Sequence, residues 1–478
     1  MDIKNIKTLL FENIGIKQTI FKNTLWLSIA EISTRLIGFF IVIWLARHFG
    51  PGTYGKFAFA LSFVALFAVF TDFGFTTLIV REIARDKFKT PQYIDNIIMM
   101  KVILGLITLG LIAFLIQFLG KEPEVLKLVY FLGIYIVINS FAGFFQSVFR
   151  ANEKMQYEAA CRIIQSLAVL GLVTFFIFKG ESILGISYAF IGGALIGVLF
   201  SLIFVWRYFS KFFFKIDFKI CKEIFSQVWP FGLIIIAISI YYYMGSVILG
   251  IMKSNEEVGW YNTAHGLALL TQVFGGIIST SFFPQLSQKY KESSESLKVV
   301  ANKFAEMMNI FAWPIALGGT LLASQIIIFL YGKDYLPGTL AFQILIWTIA
   351  ITYMSSVYGS TLQAADRQKL LLLGVGGGAI LNIILNFLLI PYYSLNGAAA
   401  ATLLTEIAIM IYVYIQANKL IRIRLSPHIV IPLCSSVVMG TLLYFYFSHF
   451  NLILAVALGA SIYFLIIGIV YFYLKHFK

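Results

Sequence analysis

TLWLSIAEISTRLIGFFIVIWLA, residues 24–46, is apolar from end to end except for a few hydroxyls and two charges, Glu31 and Arg35. A helix rises about 1.5 Å per residue, so roughly 20 apolar residues cross a hydrocarbon core about 30 Å thick. Backbone amides in lipid must be satisfied within the structure, which leaves helices or a closed barrel. Barrel strands are shorter and alternate in polarity, so an unbroken stretch of this length means a helix. Comparable stretches recur at approximately 56–80, 95–117, 127–149, 160–178, 183–206, 228–251, 259–283, 304–330, 338–362, 369–390, 397–417, 429–447 and 452–474. The fold class is therefore an all-α integral membrane protein with about fourteen transmembrane helices and short loops.

Composition agrees. Of 478 residues 60% are hydrophobic and 12% charged, about half the charge of a soluble domain. The formal net charge of +14 suggests nucleic acid at first sight. No nucleic-acid-binding motif accompanies it, and the surplus follows from the tendency of Lys and Arg to stay in cytoplasmic loops. With the N-terminus inside, 27 of the 36 lysines and arginines fall in inner loops and tails. Seven fall outside (Arg47, Lys56, Lys121, Lys127, Lys179, Lys253 and Lys333), and Arg35 and Lys101 lie within spans. This asymmetry predicts an even number of crossings with both termini cytoplasmic, in the cell membrane. The first span is too long for a signal-peptide core and lacks a small-residue cleavage site, so it reads as an uncleaved helix. Cys161, Cys221 and Cys434 are scattered and form neither a metal-ligand spacing nor a disulfide framework.

A weak duplication runs through the chain. Gly52-Thr53-Tyr54 opens the second span and Gly259-Trp260-Tyr261 the eighth, an offset of 207. Ala151-Asn152-Glu153-Lys154 and Ala364-Ala365-Asp366-Arg367 follow the fourth and tenth spans, an offset of 213, and Gly185 and Gly397 begin the sixth and twelfth, an offset of 212. Six spans between copies preserve orientation, so two six-helix bundles related by a pseudo-two-fold axis along the membrane normal are expected, with a cleft between them. The expected divisions are a first bundle at 1–210, a cytoplasmic linker at 211–227, a second bundle at 228–424 and a C-terminal helix pair at 425–478. Lys211, Lys215 and Lys219 recur every fourth residue among Phe and Ile. They suit either an interfacial helix on anionic lipid or a basic linker.

Polar groups inside spans carry the functional signal, because a charge near the bilayer centre costs about 2.5–3.5 kcal/mol on insertion scales. Thr24, Ser28, Glu31, Arg35 and Gly38 are spaced 4, 3, 4, 3, one face of a helix. Glu31 precedes Arg35 by one turn, the favourable order for an ion pair. The stripe serves either as a neutralised pair joining helices or as a cationic point in a central cavity. Asp72, eighteen residues after the repeat tyrosine, caps a helix, pairs with Arg81 or Arg85, or carries a coupling ion. His265, among Asn262, Gln272, Gly276 and Ser279 on the eighth span, either packs through a hydrogen bond or meets an anion. Glu406 is a second candidate for a coupling ion or an interhelical hydrogen bond. Gly374, Gly378, Asn382 and Asn386 recur every fourth residue, which predicts close helix packing. Tyr241, Tyr242 and Tyr243 suit packing or lipid better than a sugar path.

GPGTYGKFAFALSF at 50–63, DFGFTTLIVREIARDK at 72–87, YGKDYLPGTLAFQIL at 331–345, and LQAADRQKLLLLG with NIILNFLLIPYYSLNGAAAAT within 362–402 resemble the polysaccharide biosynthesis, O-antigen-type oligosaccharide flippases of the multidrug/oligosaccharidyl-lipid/polysaccharide superfamily. The resemblance extends over essentially the whole chain. It implies transport of a polyprenyl-diphosphate-linked oligosaccharide from the inner to the outer leaflet by alternating access. It also implies membrane lipids and glycan assembly enzymes as partners, and Arg35 as the cation for the diphosphate. Arg81, Arg85 and Arg150 at the inner rim then recruit the head group. The related lipid II flippases carry an Arg-Asp pair in the first helix and an Arg in the eighth. Here Glu31 comes a turn before Arg35, and His265 stands in the eighth span, which disfavours lipid II as substrate. A cation-coupled multidrug exporter of the same superfamily is the alternative, although that branch has twelve spans. A membrane glycosyltransferase or polymerase is the alternative of another class, but the outer loops are short and poor in carboxylates. No phosphate-binding glycine loop or ATPase motif is present, so no cofactor is expected. Membrane potential or a coupling cation, H+ or Na+, is the remaining energy source.

Overall fold

The computed structural model describes residues 12–209, 216–421, 426–447 and 450–476. Among these, the chain forms fourteen α-helices. They are α1 Ile16–Asp72, α2 Phe75–Arg85, α3 Thr90–Gln117, α4 Pro123–Ala151, α5 Met155–Phe178, α6 Ile183–Tyr208, α7 Phe218–Met252 and α8 Asn255–Glu292. After these come α9 Ser294–Leu321, α10 Ala323–Tyr331, α11 Thr339–Ala364, α12 Gln368–Asn418, α13 Ser426–Leu442 and α14 Leu452–His476. Eleven helical stretches are long and apolar enough to cross a membrane, or twelve with the bent pair α9–α10 taken as one. Two of them, Gln18–Arg85 and Gln368–Asn418, are 68 and 51 residues long, enough for two crossings each. All fourteen expected spans are thus largely helical, the second being interrupted at Phe73 and Gly74. The expected ninth span is broken by 76° between α9 and α10. Residues 284–303, between the eighth and ninth expected spans, continue α8 and open α9. Lys211 and Lys215 lie outside the described residues, and Lys219 stands in the first turn of α7.

Polarity along α3 explains why these helices suit lipid. Its polar side chains point inward: Lys101 and Thr108 are fully buried, while Leu106 is 66% exposed and Phe114 61%. That inversion of the soluble pattern satisfies polar groups within protein and gives the apolar face to hydrocarbon.

The chain divides into two compact units. The first comprises 1–45 and 56–247, the second 46–55 and 248–478. In the first unit, Phe75, Leu78, Ile79 and Ile83 of α2 recur on one helical face and are buried. They pack with Tyr93, Ile94 and Ile97 of α3 and with Phe144, Phe145, Val148 and Phe149 of α4. Gly193 and Gly197 let α6 lie on α5: a Cβ at these positions would come within 2.2 Å of Val169 and 2.5 Å of Gln165. In the second unit, Tyr353 of α11 donates its hydroxyl to the Thr271 carbonyl at 2.6 Å and accepts from the Gly275 amide at 3.1 Å, tying α11 to α8. Gly374 and Gly378 face Tyr412 and Ile409, so the four-residue glycine spacing does serve close packing. A C-terminal cluster joins Leu322, Met439, Leu443, Ala455, Tyr463 and Ile467.

The segment 46–55 groups with the second unit for a visible reason. Gly55 is the fifth residue after the kink at Gly50, and a Cβ there would lie 1.7 Å from the Asn255 carbonyl oxygen. Gly259 is the fifth residue of α8, and its Cβ would lie 2.2 Å from the Pro51 carbonyl oxygen. The contact is reciprocal, each glycine meeting the carbonyl four residues before the other. Arg47 reinforces it by donating to the Leu330 carbonyl at 2.7 Å and to Phe329.

Candidate functional site

The stripe on the first span belongs to a larger charged ladder inside the first unit. Arg35 Nε lies 2.5 Å from Glu31 Oε1. The other carboxylate oxygen, Oε2, accepts from Arg162 Nη2 of α5 at 2.6 Å. Arg162 also approaches Glu158 at 4.0 Å, one turn earlier on α5. Arg150 of α4 donates to Glu158 through Nε at 3.1 Å and through Nη2. Three arginines and two glutamates from three helical stretches therefore alternate in one connected row, one positive charge in surplus. Gln165, a turn beyond Arg162, donates to Asn139 of α4 at 2.6 Å.

Burial is deepest at Glu158, 1% exposed, and falls away to both ends of the row: Arg162 26%, Glu31 40% and Arg35 47% on one side, Arg150 40% on the other. The dry Glu158 carboxylate needs its guanidinium partners. The Arg35 end is open to exchange. A guanidinium has five N–H donors, and Arg35 commits only its Nε within the described residues. Around Gly38, a turn further, no heavy atom would meet an added Cβ within 4 Å. Arginine in such a setting can bind an anion with oxygens in a plane, phosphate above all.

Glu158 and Arg162 were not singled out by sequence reading, where Arg162 counted only as an inner-loop charge. The signal existed: Glu158, Arg162 and Gln165 repeat the 4, 3 spacing of Glu31, Arg35 and Gly38.

Asp72 occupies a different setting. Two consecutive residues with left-handed backbone, Phe73 at φ 46° and Gly74 at φ 95°, separate α1 from α2. The Asp72 carboxylate spans the break, accepting from the Thr76 hydroxyl at 2.6 Å. Its ionic partner is Lys101 of α3, at 3.0 Å. Lys101 also donates to the Thr71 carbonyl at 2.8 Å and lies over the rings of Phe141 and Phe144. The expected pairing of Asp72 with Arg81 or Arg85 gives way to this one. Arg81 instead binds Glu82 and Gln227, and Arg85 binds Glu82. The reason is position: Lys101 is buried beside the break, whereas Arg81 and Arg85 stand about two and three turns further along α2.

The remaining candidates are dispersed. His265, in the second unit, stacks on Tyr261 with centroids 5.5 Å apart and planes 12° from parallel. Glu406 is buried in α12; beside it, Thr405 accepts from Asn382 at 3.2 Å.

Comparison with known proteins places this architecture. Residues 20–290, more than half of the chain, match the polysaccharide biosynthesis protein family. The chain belongs to that family. Among its relatives is a probable low-salt glycan biosynthesis flippase of Haloferax volcanii, 23% identical over 80% of both chains. Another is a putative O-antigen transporter of Shigella dysenteriae, 24% identical over 82% of this chain and 98% of its own. Among solved structures, the lipid II flippase MurJ in an inward closed conformation superposes with a TM-score of 0.79 at 17% identity, covering 95% of this chain and all of that one. This chain therefore has the MurJ fold, and the family membership expected from its motifs holds. With its many apolar helices, it is a multi-pass membrane protein.

Proposed function

We propose that this protein carries a polyprenyl-diphosphate-linked oligosaccharide from the inner to the outer leaflet of the cell membrane for surface polysaccharide assembly, as a transporter and not an enzyme. The observation that carries this reading is the half-exposed end of the ladder, Glu31 and Arg35, within an otherwise apolar span. A sugar head group cannot cross hydrocarbon unaided, while its lipid tail can stay in the bilayer. The diphosphate between them needs a cation inside the membrane, and Arg35 supplies one with donors to spare. The names of the Haloferax and Shigella relatives support the same substrate class. Both termini are cytoplasmic in this scheme, and Arg81 and Arg150 stand at the inner rim, where the head group enters. His265 is a further proposed polar contact for the cargo. Glu406, buried in α12, and Asp72, whose carboxylate meets Lys101 and Thr76, are the two coupling-ion candidates. Membrane lipids surround the carrier, and glycan assembly enzymes supply and consume its cargo.

Depletion of the protein tests the assignment: lipid-linked glycan accumulates on the inner leaflet, and normal outward delivery without the protein refutes it. Arg35→Ala abolishes flipping while the protein folds and inserts, and Arg35→Lys retains part of it. A fully active Arg35→Ala protein would remove Arg35 from the transport path.

A further inference from the structure

We infer that Glu31 is a surrogate anion: in the empty protein it occupies the Arg35 guanidinium that a substrate diphosphate takes on loading, and Arg162 is the positioning residue that receives Glu31 during the exchange. The inference rests on the reading that Arg35 meets the diphosphate.

The geometry is that of a divided carboxylate. Glu31 spends Oε1 on Arg35 at 2.5 Å and Oε2 on Arg162 at 2.6 Å. It is the only ionic partner of Arg35 among the described residues, while Arg162 already has a second acid, Glu158, 4.0 Å away. An incoming diphosphate brings more negative charge and more acceptor oxygens than one carboxylate, and it can engage Arg35 through two parallel N–H donors. Glu31 then keeps Arg162, so neither Glu31 nor Arg35 is left without a partner at any point. The half-exposure of both side chains allows that exchange, whereas a fully buried pair would resist it.

A flippase must also return unloaded. A bare guanidinium passing through a closed, dry intermediate is costly. With Glu31 in place of the phosphate, the empty carrier crosses with Arg35 neutralised. Net transport therefore needs Glu31. One-for-one exchange of substrate across the bilayer never passes through the empty carrier and does not need it.

The experiment uses the full chain in lipid nanodiscs with farnesyl diphosphate as probe, and in vesicles with a lipid-linked oligosaccharide. Glu31→Gln keeps the shape and removes the competing charge. It should bind farnesyl diphosphate about fivefold more tightly than the parent, the scale of a half-exposed ion pair. It should lose net flipping while retaining exchange. Arg162→Gln leaves Glu31 to Arg35 alone and should bind the probe more weakly. A folding defect would weaken both variants, so the opposite signs exclude it. Binding by Glu31→Gln that is unchanged or weaker, or net flipping and exchange falling together, would overturn the inference. The two readings separate at Arg35→Ala: if that variant still binds the probe and flips, the diphosphate reading itself falls. If it loses both while Glu31→Gln binds as the parent does, only the surrogate role falls.

Discussion

Replacing Asp72 with alanine removes the one ionic partner, among the described residues, of a lysine that has no exposure at all. At 3.0 Å and an effective dielectric of about 20, the attraction between the two charges is roughly 5–6 kcal/mol. Drying the ammonium offsets most of that in the intact protein. In Asp72→Ala the attraction is gone while the ammonium stays buried, with only the Thr71 carbonyl and two aromatic rings as partners among the described residues. The expected loss is about 3–5 kcal/mol, the range for breaking one side of a buried pair. The double variant Asp72→Ala, Lys101→Met puts an apolar chain of similar length in the slot and should regain most of that loss, because no unpaired charge remains. Thermal unfolding of detergent-solubilised protein, followed by size-exclusion fluorescence, reads all three melting temperatures. A single variant as stable as the parent, or a double variant no better than the single, would refute the assignment of Lys101 as a dry partner. Flipping by the stable double variant decides function at the same site: retained flipping makes Asp72 structural, and flipping lost at full stability restores it as a coupling residue.

Gly55→Ala and Gly259→Ala each force a methyl against a carbonyl oxygen, at 1.7 Å and 2.2 Å. Each should lower stability by about 1–3 kcal/mol or more, measured by the same melts, and a silent pair would contradict the close approach. Arg150→Met leaves Glu158 buried with its nearest remaining cation 4.0 Å away and should cost about 3–5 kcal/mol. Adding Glu158→Gln should recover much of it. Lys56 bridges Glu122 and Glu124 on a far wetter surface, with 58% and 36% of the two acids exposed, so Lys56→Ala should cost no more than about 1 kcal/mol, and less in high salt.

Much of this was legible in the residues because membrane helices announce themselves by length and polarity alone. All fourteen spans, and the glycine faces at Gly374 and Gly378, follow from one-dimensional spacing. What was not legible depends on which helices meet. Lys101 looked like a stray charge in an apolar span, and nothing in the sequence near it names Asp72, twenty-nine residues earlier, as its partner. Glu158 and Arg162 sit where a span begins, so the rule that basic residues gather in inner loops explained Arg162 too easily and hid its tie to Glu31. The close approach at Gly55 and Gly259 shows the same limit: nothing in the sequence names the Asn255 and Pro51 carbonyls as what they face, because packing selects a residue without a Cβ where two backbone segments touch.

Two acid–base pairs lie within the spans of the first unit, and burial decides what each can do. Lys101 has three kinds of partner and no water, so its exchange for another ligand would first require drawing a charge out of a dry slot. Arg35 and Glu31 are each roughly half-exposed, so either can change partners at a cost well under that of a fully buried pair. A transport site must bind and release cargo in every cycle, which needs affinities that compete with one another rather than bonds that persist. By that criterion the proposed transport site belongs at the weaker of the two pairs, while the stronger holds the broken helix.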